Sequence, residues 1–181
     1  LSSDTGTCDP PSLGNSQVIV VTASNVTISG LTVDGDNPDN GAGIDARNGI
    51  IEGGSGTVYD NLVVHHVTVR NIYLRGIYAR SGGSGFHFHN NTVENVASCD
   101  ASIAIFNFGG SGVIEYNTVR NSNDAISSNW SRGTQYLHNL VQNCGSGIHT
   151  DNNGGSGGTA DLIENNTVED SAANGYGIFV F

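Results

Sequence analysis

Apolar and polar residues alternate in short runs along this chain, and the runs repeat. The stretch "GGSGVIEYNTVRN", residues 109–121, holds a glycine-rich turn followed by two runs of about three residues, each centred on an apolar side chain, Ile114 or Val119. Alternation of this kind has the period of a β-strand and lacks the spacing of an amphipathic helix. The pattern therefore predicts short strands separated by tight turns.

The same unit recurs six times. Aligned on the valine of the Asn-Thr-Val segment, its copies are Val33, Val69, Val93, Val119, Val141 and Val168, with spacings of 36, 24, 26, 22 and 27 residues. A second column, a small residue followed by isoleucine, is read as Gly43-Ile44, Gly76-Ile77, Ser102-Ile103, Ala125-Ile126, Gly147-Ile148 and Gly177-Ile178. A repeat of this length, with three short strands and no helical period, predicts one coil of a β-solenoid.

The offsets within the unit predict its cross-section. One strand directs inward the residues Ile28, Val64, Phe88, Ile114, Tyr136 and Ile163. At the corner that follows, four asparagines recur at Asn91, Asn117, Asn139 and Asn166, and a second amide column recurs at Asn71, Asn95, Asn121 and Asn143. Stacked at the strand spacing of about 4.8 Å, the first four predict an internal ladder of amide hydrogen bonds.

These units resemble those of the right-handed parallel β-helix proteins of the pectin-lyase-like superfamily, from about Gln17 onward. The resemblance implies an all-β, single-stranded right-handed parallel β-helix of about six coils, with three short strands per coil. Residues 1–16 are predicted to be an N-terminal capping or lead-in segment, and residues 17–181 the β-helix domain. The superfamily holds both polysaccharide-active enzymes and surface proteins without catalysis, so the fold alone does not select a function.

The sequence "GGSG" occurs four times, beginning at Gly53, Gly82, Gly109 and Gly154. By the resemblance, each copy is the tight turn that follows the first sheet, where glycine supplies backbone angles that other residues disfavour. An engineered solenoid scaffold with linker-like turns is the alternative. We favour natural turns, because the flanking strands stay in register.

Composition excludes two classes of partner. The formal charge is -11 and the chain contains no lysine, which argues against nucleic acid, because phosphate binding needs clustered lysine or arginine. No apolar run reaches the roughly 18 residues of a membrane helix, so we expect no membrane insertion. Cys99 and Cys144 fall two coils apart, beyond the reach of a disulfide between them, and are predicted to be buried free thiols, with Cys8 unassigned.

By the resemblance, catalysis belongs on the outward face of the "Gly-Ile" sheet. The weak catalytic candidates there are Tyr78 with Arg80 and His149 with Asp151. Each pair offers half of a site, and two coils lie between the pairs. Asp45 and Asp151 lie four coils apart, too far for a hydrolase pair. The face is better suited to binding a glycan, through polar groups and through sugar stacking on aromatic rings. The predicted glycan-binding residues are Asp45, Arg47, Tyr78, Arg80, Phe106, Asn129, Trp130, His149 and Asp151.

Two clusters are weak candidates for metal ions. Asp34, Asp36 and Asp39 in "DGDNPDN" offer oxygen ligands for Ca²⁺, although an ordinary turn explains them better. His65, His89 and Glu115 share an outward column and are weak candidates for zinc or copper, with His87 two residues from His89. No cofactor is required by the predicted fold.

The sequence thus predicts a secreted or cell- or particle-surface β-solenoid that acts as a structural or adhesive module and binds glycans without catalysis. The alternative is a polysaccharide-active lyase or hydrolase fragment of the same superfamily. The last residues, "YGIFVF", are apolar and lack a polar closing segment. We therefore expect the C-terminal end to be covered by further chain or by another subunit stacked end to end.

Overall fold

The structure is a computed structural model, and it describes residues 16–36, 39, 43–54, 56–151, 159–169, 171 and 175–180. Short strands occupy most of these ranges. In chain order they are β1 (Gln17–Val21), β2 (Thr27–Ser29), β3 (Thr32–Asp34), β4 (Asn48–Glu52), β5 (Val63–His65), β6 (Thr68–Arg70), β7 (Arg75–Ala79), β8 (Ser84–His89), β9 (Thr92–Glu94), β10 (Ile103–Phe108), β11 (Ser111–Glu115), β12 (Thr118–Arg120), β13 (Asp124–Asn129), β14 (Gln135–Leu137), β15 (Leu140–Gln142), β16 (Ser146–Thr150), β17 (Leu162–Glu164), β18 (Thr167–Glu169) and β19 (Ile178–Val180).

The strands form three parallel sheets, and each coil contributes one strand to each sheet. The first sheet has the order β1-β4-β7-β10-β13-β16-β19, the second is built from β2, β5, β8, β11, β14 and β17, and the third from β3, β6, β9, β12, β15 and β18. Every strand pairs only with the equivalent strand of the coil before and after it. The predicted fold class, an all-β parallel solenoid with three strands per coil, is confirmed. The predicted lead-in segment, apart from Ser16, lies outside the described residues.

Stacked aliphatic columns fill the interior. The predicted second-sheet column from Ile28 to Ile163 is confirmed by the strand register, and Val64, Phe88, Ile114 and Tyr136 within it are fully buried.

The isoleucine column of the first sheet needs correction at two coils. Ile77 pairs with Ile50 and Ile105, whereas the sequence reading placed Ile44 and Ile103 there. Ile44 precedes β4, and Ile103 lies two residues too early in β10. Both errors arise because loops of different length precede these strands.

The internal amide ladder is confirmed. Asn91 Nδ2 donates to Asn117 Oδ1 at 3.0 Å, Asn117 Nδ2 to Asn139 Oδ1 at 3.0 Å, and Asn139 Nδ2 to Asn166 Oδ1 at 2.9 Å. Each Nδ2 also donates across the corner to a backbone carbonyl, as Asn117 does to Phe88 at 2.8 Å. Because these groups are buried among apolar side chains, the ladder satisfies backbone groups that the sharp corner removes from the sheets.

The second amide column lies at the bend after the third sheet. Asn71, Asn95, Asn121 and Asn143 all have a positive φ between 52° and 58°, a backbone region in which asparagine is enriched. Asn95 Nδ2 donates to Asn71 Oδ1 at 3.2 Å, and Asn143 Nδ2 donates to Asn121 Oδ1 at 2.7 Å. The sequence therefore located the two corners that are formed by asparagine columns.

The glycine repeats form the turn between the first and second sheets, and its geometry requires glycine. Gly82 and Gly109, the first residues of two copies, have φ of 78° and 79°. The next glycine in each copy has no room for a side chain. A Cβ added to Gly83 would lie 1.8 Å from Tyr59 O, and a Cβ added to Gly110 would lie 2.3 Å from Gly83 O. The turn thus needs one glycine for its backbone angle and another because the neighbouring coil leaves no space for a side chain. The fourth copy, residues 154–157, lies outside the described residues.

The cysteine prediction is half right. Cys144 is a buried free thiol, as expected, and burial raises its pKa. Cys99, in contrast, is disulfide-bonded, so its assignment as a free thiol was wrong. The distance argument had excluded only a bond between Cys99 and Cys144. Cys8 lies outside the described residues.

Candidate functional site

The outward face of the first sheet carries the groups best suited to chemistry. One outward column, fixed by the strand register, consists of Ile51, Tyr78, Phe106, Ser127, His149 and Phe179. A second column, at the start of the strands, consists of Asn48, Arg75, Ile103, Asp124 and Ser146. The two columns bring together a cation, a carboxylate, an imidazole and three aromatic rings.

Two predicted members of this face lie elsewhere. Asp45 and Arg47 were expected on the first sheet, but they belong to the loop before β4. There the backbone N–H groups of Asp45 and Ala46 donate to Gly35 O, and the N–H of Arg47 donates to Ser16 O. The residues at the expected register are Ile51 and Gly53, because β4 begins six residues later than the sequence reading assumed. In β10 the slip is two residues: the predicted pair Ser102-Ile103 placed Ala104 and Phe106 outward, whereas the structure has Phe106 and then Phe108 there.

Arg75 is a buried cation that lies against two stacked aromatic rings. Its side chain is 2% exposed, and its guanidinium carbon lies 4.9 Å from the centre of the Phe106 ring and 5.9 Å from that of Tyr78. Nη1 donates to Leu74 O at 3.2 Å and to Ala101 O. Tyr78 and Phe106 stack on each other with centroids 4.8 Å apart and are 5% and 4% exposed. Cation–π contact and burial therefore fix this cluster as part of the packed structure.

Asp124 and His149 form a pair of perturbed titratable groups on neighbouring coils. Asp124 Oδ2 lies 4.0 Å from His149 Nδ1, and both side chains are about one-quarter exposed. Burial raises the pKa of Asp124, although His149 and Arg75 oppose the shift, and burial lowers the pKa of His149 against the opposing charges of Asp124 and Asp151. Both shifts favour the uncharged forms. A neutral imidazole beside a carboxyl group that solvent reaches is the kind of pair that general acid–base catalysis uses.

Ser127 also contacts His149, but the two do not form a nucleophilic triad with Asp124. Ser127 Oγ lies 3.3 Å from His149 Nδ1, the same ring nitrogen that faces Asp124. In a triad the nucleophile and the carboxylate contact different nitrogens of the imidazole, so that one orients the ring while the other exchanges a proton. The Ser127 hydroxyl is also fully buried. Activation of Ser127 as a nucleophile is therefore not what this geometry provides.

An aromatic edge borders the face, where the first sheet turns into the second. We use this name for Phe108 and Trp130 together with Asn129 and Asp151. Phe108 pairs with Asn129 across β10 and β13, and the N–H of Trp130 donates to Asp151 Oδ2 at 2.7 Å. Trp130 is 50% exposed and Phe108 is 37% exposed. Unlike Tyr78 and Phe106, these rings are open to a ligand.

The remaining predicted group on this face, Arg80, flanks a buried carboxylate that sequence reasoning missed. Glu52 is 2% exposed, and its Oε2 accepts from the backbone N–H groups of Arg80 and Ser81, each at 2.9 Å. Arg75 and Asp124 were missed as well. A signal existed for both, because each directly precedes the small residue of a "Gly-Ile" or "Ala-Ile" pair and so occupies the same position in its coil.

The predicted metal candidates are placed as follows. Asp34 Oδ2 pairs with Arg70 Nε at 2.8 Å, and its Oδ1 accepts from Asn71 Nδ2 and from the N–H of Asp36. Burial by itself raises the pKa of Asp34, but the hydrogen bonds from Asn71, Arg70 and the Asp36 N–H, together with the charge of Arg70, outweigh it and lower the pKa. Within the described ranges, no group of three histidine, cysteine, aspartate or glutamate side chains is arranged to hold a metal ion. Both metal sites stay predictions.

Comparison with family models, with curated proteins and with solved structures gives no significant match for this chain. The architecture therefore carries the assignment of a parallel β-solenoid by itself. Among the described residues there is no helix with the length and apolar character needed to cross a membrane.

Proposed function

We propose that this chain is a structural or adhesive β-solenoid module, secreted or displayed on a cell or particle surface, that binds glycans without chemistry. The aromatic edge carries the proposal. It presents the open rings of Phe108 and Trp130 beside the polar side chains of Asn129 and Asp151, the combination of flat apolar surface and hydrogen-bonding groups that a sugar ring needs. The disulfide at Cys99 supports an oxidising, extracytoplasmic location. End-to-end contact with another subunit or further chain belongs to the same proposal.

The buried cluster argues for binding over turnover. A lyase acting on uronates needs a cation that neutralises the substrate carboxylate and a base that removes the adjacent proton. Arg75 is the arginine whose charge acts on Asp124 of the Asp124–His149 pair. Its guanidinium is buried against the rings of Phe106 and Tyr78. A substrate carboxylate therefore has no access to its guanidinium in this structure.

Trp130→Ala is expected to weaken glycan binding at least tenfold, because the variant loses the largest open ring of the aromatic edge. Affinities are to be measured on an immobilised panel of neutral and acidic oligosaccharides. Tyr116→Ala is the matched control, since Tyr116 is 52% exposed but lies on a different corner, stacked on His138. Unchanged binding by Trp130→Ala, or no binding by the parent protein, would refute the proposal.

A polysaccharide lyase or hydrolase is the second candidate, and the Asp124–His149 pair is the observation that favours it. We expect the parent protein to release neither unsaturated nor reducing ends from pectin, alginate or chondroitin. The double variant His149→Ala with Asp151→Ala should then give a product profile as blank as the parent's. Cleavage by the parent that is lost in this double variant and in Asp124→Asn would make the first-sheet face an active site and displace the binding proposal.

A further inference from the structure

Two adjacent histidines lie side by side at the corner between the second and third sheets. His65 ends β5 on its outward side, and His66 follows it with a φ of 53°. In a continuous strand, neighbouring side chains point to opposite faces, but the left-handed backbone at His66 interrupts this alternation. The Nδ1 atoms of the two rings lie 2.9 Å apart, with the ring planes at 85° to each other. We call these two residues the histidine pair.

The distance between the two nitrogens matches that of neighbouring ligands on one metal ion. Imidazole nitrogens bind transition metals at about 2.0 Å. Two such nitrogens lie about 2.8 Å apart when the angle at the metal is 90°, as in square-planar and tetragonal sites, and about 3.3 Å apart at the tetrahedral angle. The observed 2.9 Å is closer to the first value. The spacing therefore suits Cu²⁺ or Ni²⁺ better than Zn²⁺.

We propose that the histidine pair is a Cu²⁺ site, with the two imidazoles in neighbouring positions of a tetragonal ion. Cu²⁺ is preferred over Ni²⁺ because nitrogen ligands bind it more tightly. In the part of the chain that the structure describes, no three histidine, cysteine, aspartate or glutamate side chains are arranged around one ion, so water supplies the other ligands. His66 is exposed and His65 is half-buried, which gives the ion access from solvent.

His89, which the sequence suggested as a ligand, supports the pair instead. Its ring stacks on that of His65, with centroids 4.8 Å apart and planes 10° apart, and lies edge-on to His66 at 6.1 Å. Asn90 in turn contacts His89, with its Nδ2 2.9 Å from His89 Nδ1. Packing of this kind holds the two ligand rings near the binding geometry before the ion arrives, which reduces the entropy lost on binding.

The charge and the proton balance of the pair also favour a cation. The chain carries a formal charge of -11, and Glu115 occupies the same outward column as His65, two coils away. When no ion is bound, the two Nδ1 atoms share a hydrogen bond, so one ring carries its proton on Nδ1. Moving this proton to Nε2 gives the other neutral tautomer and frees the Nδ1 lone pair, without a change in the charge of the imidazole.

This inference does not rest on the proposed function. The histidine pair lies at the corner after the second sheet, whereas the aromatic edge lies where the first sheet ends. Trp130→Ala removes the open indole and leaves both imidazoles in place. Failure of one proposal is therefore distinguishable from failure of the other.

The test titrates copper sulfate into the protein at neutral pH in a weakly coordinating buffer. His66→Asn is the ligand variant, because Asn90 and Asn165 occupy the same corner position with φ of 54° and 55°. We expect His66→Asn to weaken Cu²⁺ binding at least tenfold. The matched control His138→Asn makes the same substitution at the same corner, but it removes a ring that stacks on Tyr116. This control should bind Cu²⁺ as the parent protein does.

Electron paramagnetic resonance identifies the ligands directly. With one equivalent of Cu²⁺, the parent protein should give a tetragonal spectrum with hyperfine coupling to two imidazole nitrogens, and His66→Asn should lose this spectrum. Equal Cu²⁺ affinity of the parent and His66→Asn, an equal loss in His138→Asn, or a parent spectrum without two coupled nitrogens would overturn the site. Zn²⁺ binding as tight as that of Cu²⁺ would contradict the tetragonal assignment. Melting curves without metal establish that the variants are folded, and if His66→Asn is not, the parent spectrum decides by itself.

Discussion

Gly110→Ala is expected to destabilise the solenoid by about 3 kcal/mol, the upper part of the range for overpacking, because the new Cβ meets a backbone atom. A Cβ at Gly110 would lie 2.3 Å from Gly83 O and 3.0 Å from Asn107 Oδ1. The turn is held by two hydrogen bonds, from Gly110 N to Asn107 Oδ1 at 3.2 Å and from Asn107 Nδ2 to Gly110 O at 3.0 Å. Gly83 O is a backbone atom and the Asn107 amide is held by its hydrogen bonds, so relief requires the coils to separate. Urea unfolding measures the loss, provided the m value is unchanged.

Two other glycines separate the causes of this loss. Gly177→Ala is the neutral control, since a Cβ there meets nothing within 4 Å, and a change within about 0.5 kcal/mol is expected. Gly109→Ala tests the backbone angle alone, because its φ is 79° and its closest neighbour lies 3.5 Å away, and about 1 kcal/mol is expected. A Gly110→Ala variant as stable as Gly177→Ala would disprove the close approach of successive turns.

Asn117→Leu is expected to lower the free energy of unfolding by about 3 kcal/mol, because it leaves buried polar groups without partners. Asn117 Oδ1 accepts from both the N–H and the Nδ2 of Asn91, each at 3.0 Å. Asn117 Nδ2 donates to Phe88 O and to Asn139 Oδ1. Leucine has a similar volume but can replace none of these bonds, and water has no access to a residue that is 1% exposed.

The adjacent Thr118→Leu variant is the control for the ladder. Thr118 lies on the outward, half-exposed side of β12, so its replacement adds apolar area without removing an internal amide, and a change within about 0.5 kcal/mol is expected. Chemical denaturation of both variants gives the comparison. Equal stability of Asn117→Leu and the parent protein would remove the ladder as a source of stability.

The predicted binding and the predicted chemistry share one face but use different parts of it. The open rings lie at its edge, whereas Arg75, Tyr78 and Phe106 are packed into its centre. Tyr78 and Phe106 were predicted to stack on a sugar, and the structure instead uses their rings to enclose a guanidinium. The open rings available to the proposed glycan binding on this face are those of Trp130, which was predicted, and Phe108, which was not.

Sequence alone determined the repeat and its cross-section. The valine, asparagine and glycine columns were predicted correctly because each depends on the geometry within one coil. Side chains in a strand alternate between the two faces with a period of two residues, one corner needs an amide, and one turn needs glycine. The valine recurs six times along the chain, and the ladder asparagine and the glycine turn four times each, so a single sequence displays these local requirements repeatedly. The second-sheet residues, including His65, His89 and Glu115 in one column, could be aligned for the same reason.

Only the tertiary structure decided what depends on loops of unequal length and on packing between coils. The thirteen-residue connection between β3 and β4 and the eight-residue connection between β9 and β10 shifted the first-sheet register. Asp45 and Arg47 therefore left the face, and Phe106 and Phe108 took the positions assigned to Ala104 and Phe106. Asp124 Oδ2 and His149 Nδ1 lie 4.0 Å apart because strands of neighbouring coils stack, and this contact between different positions of the repeat was not predicted. Whether a side chain on an outward column is open or enclosed was likewise fixed by three-dimensional packing, as the contrast between Tyr78 and Trp130 shows.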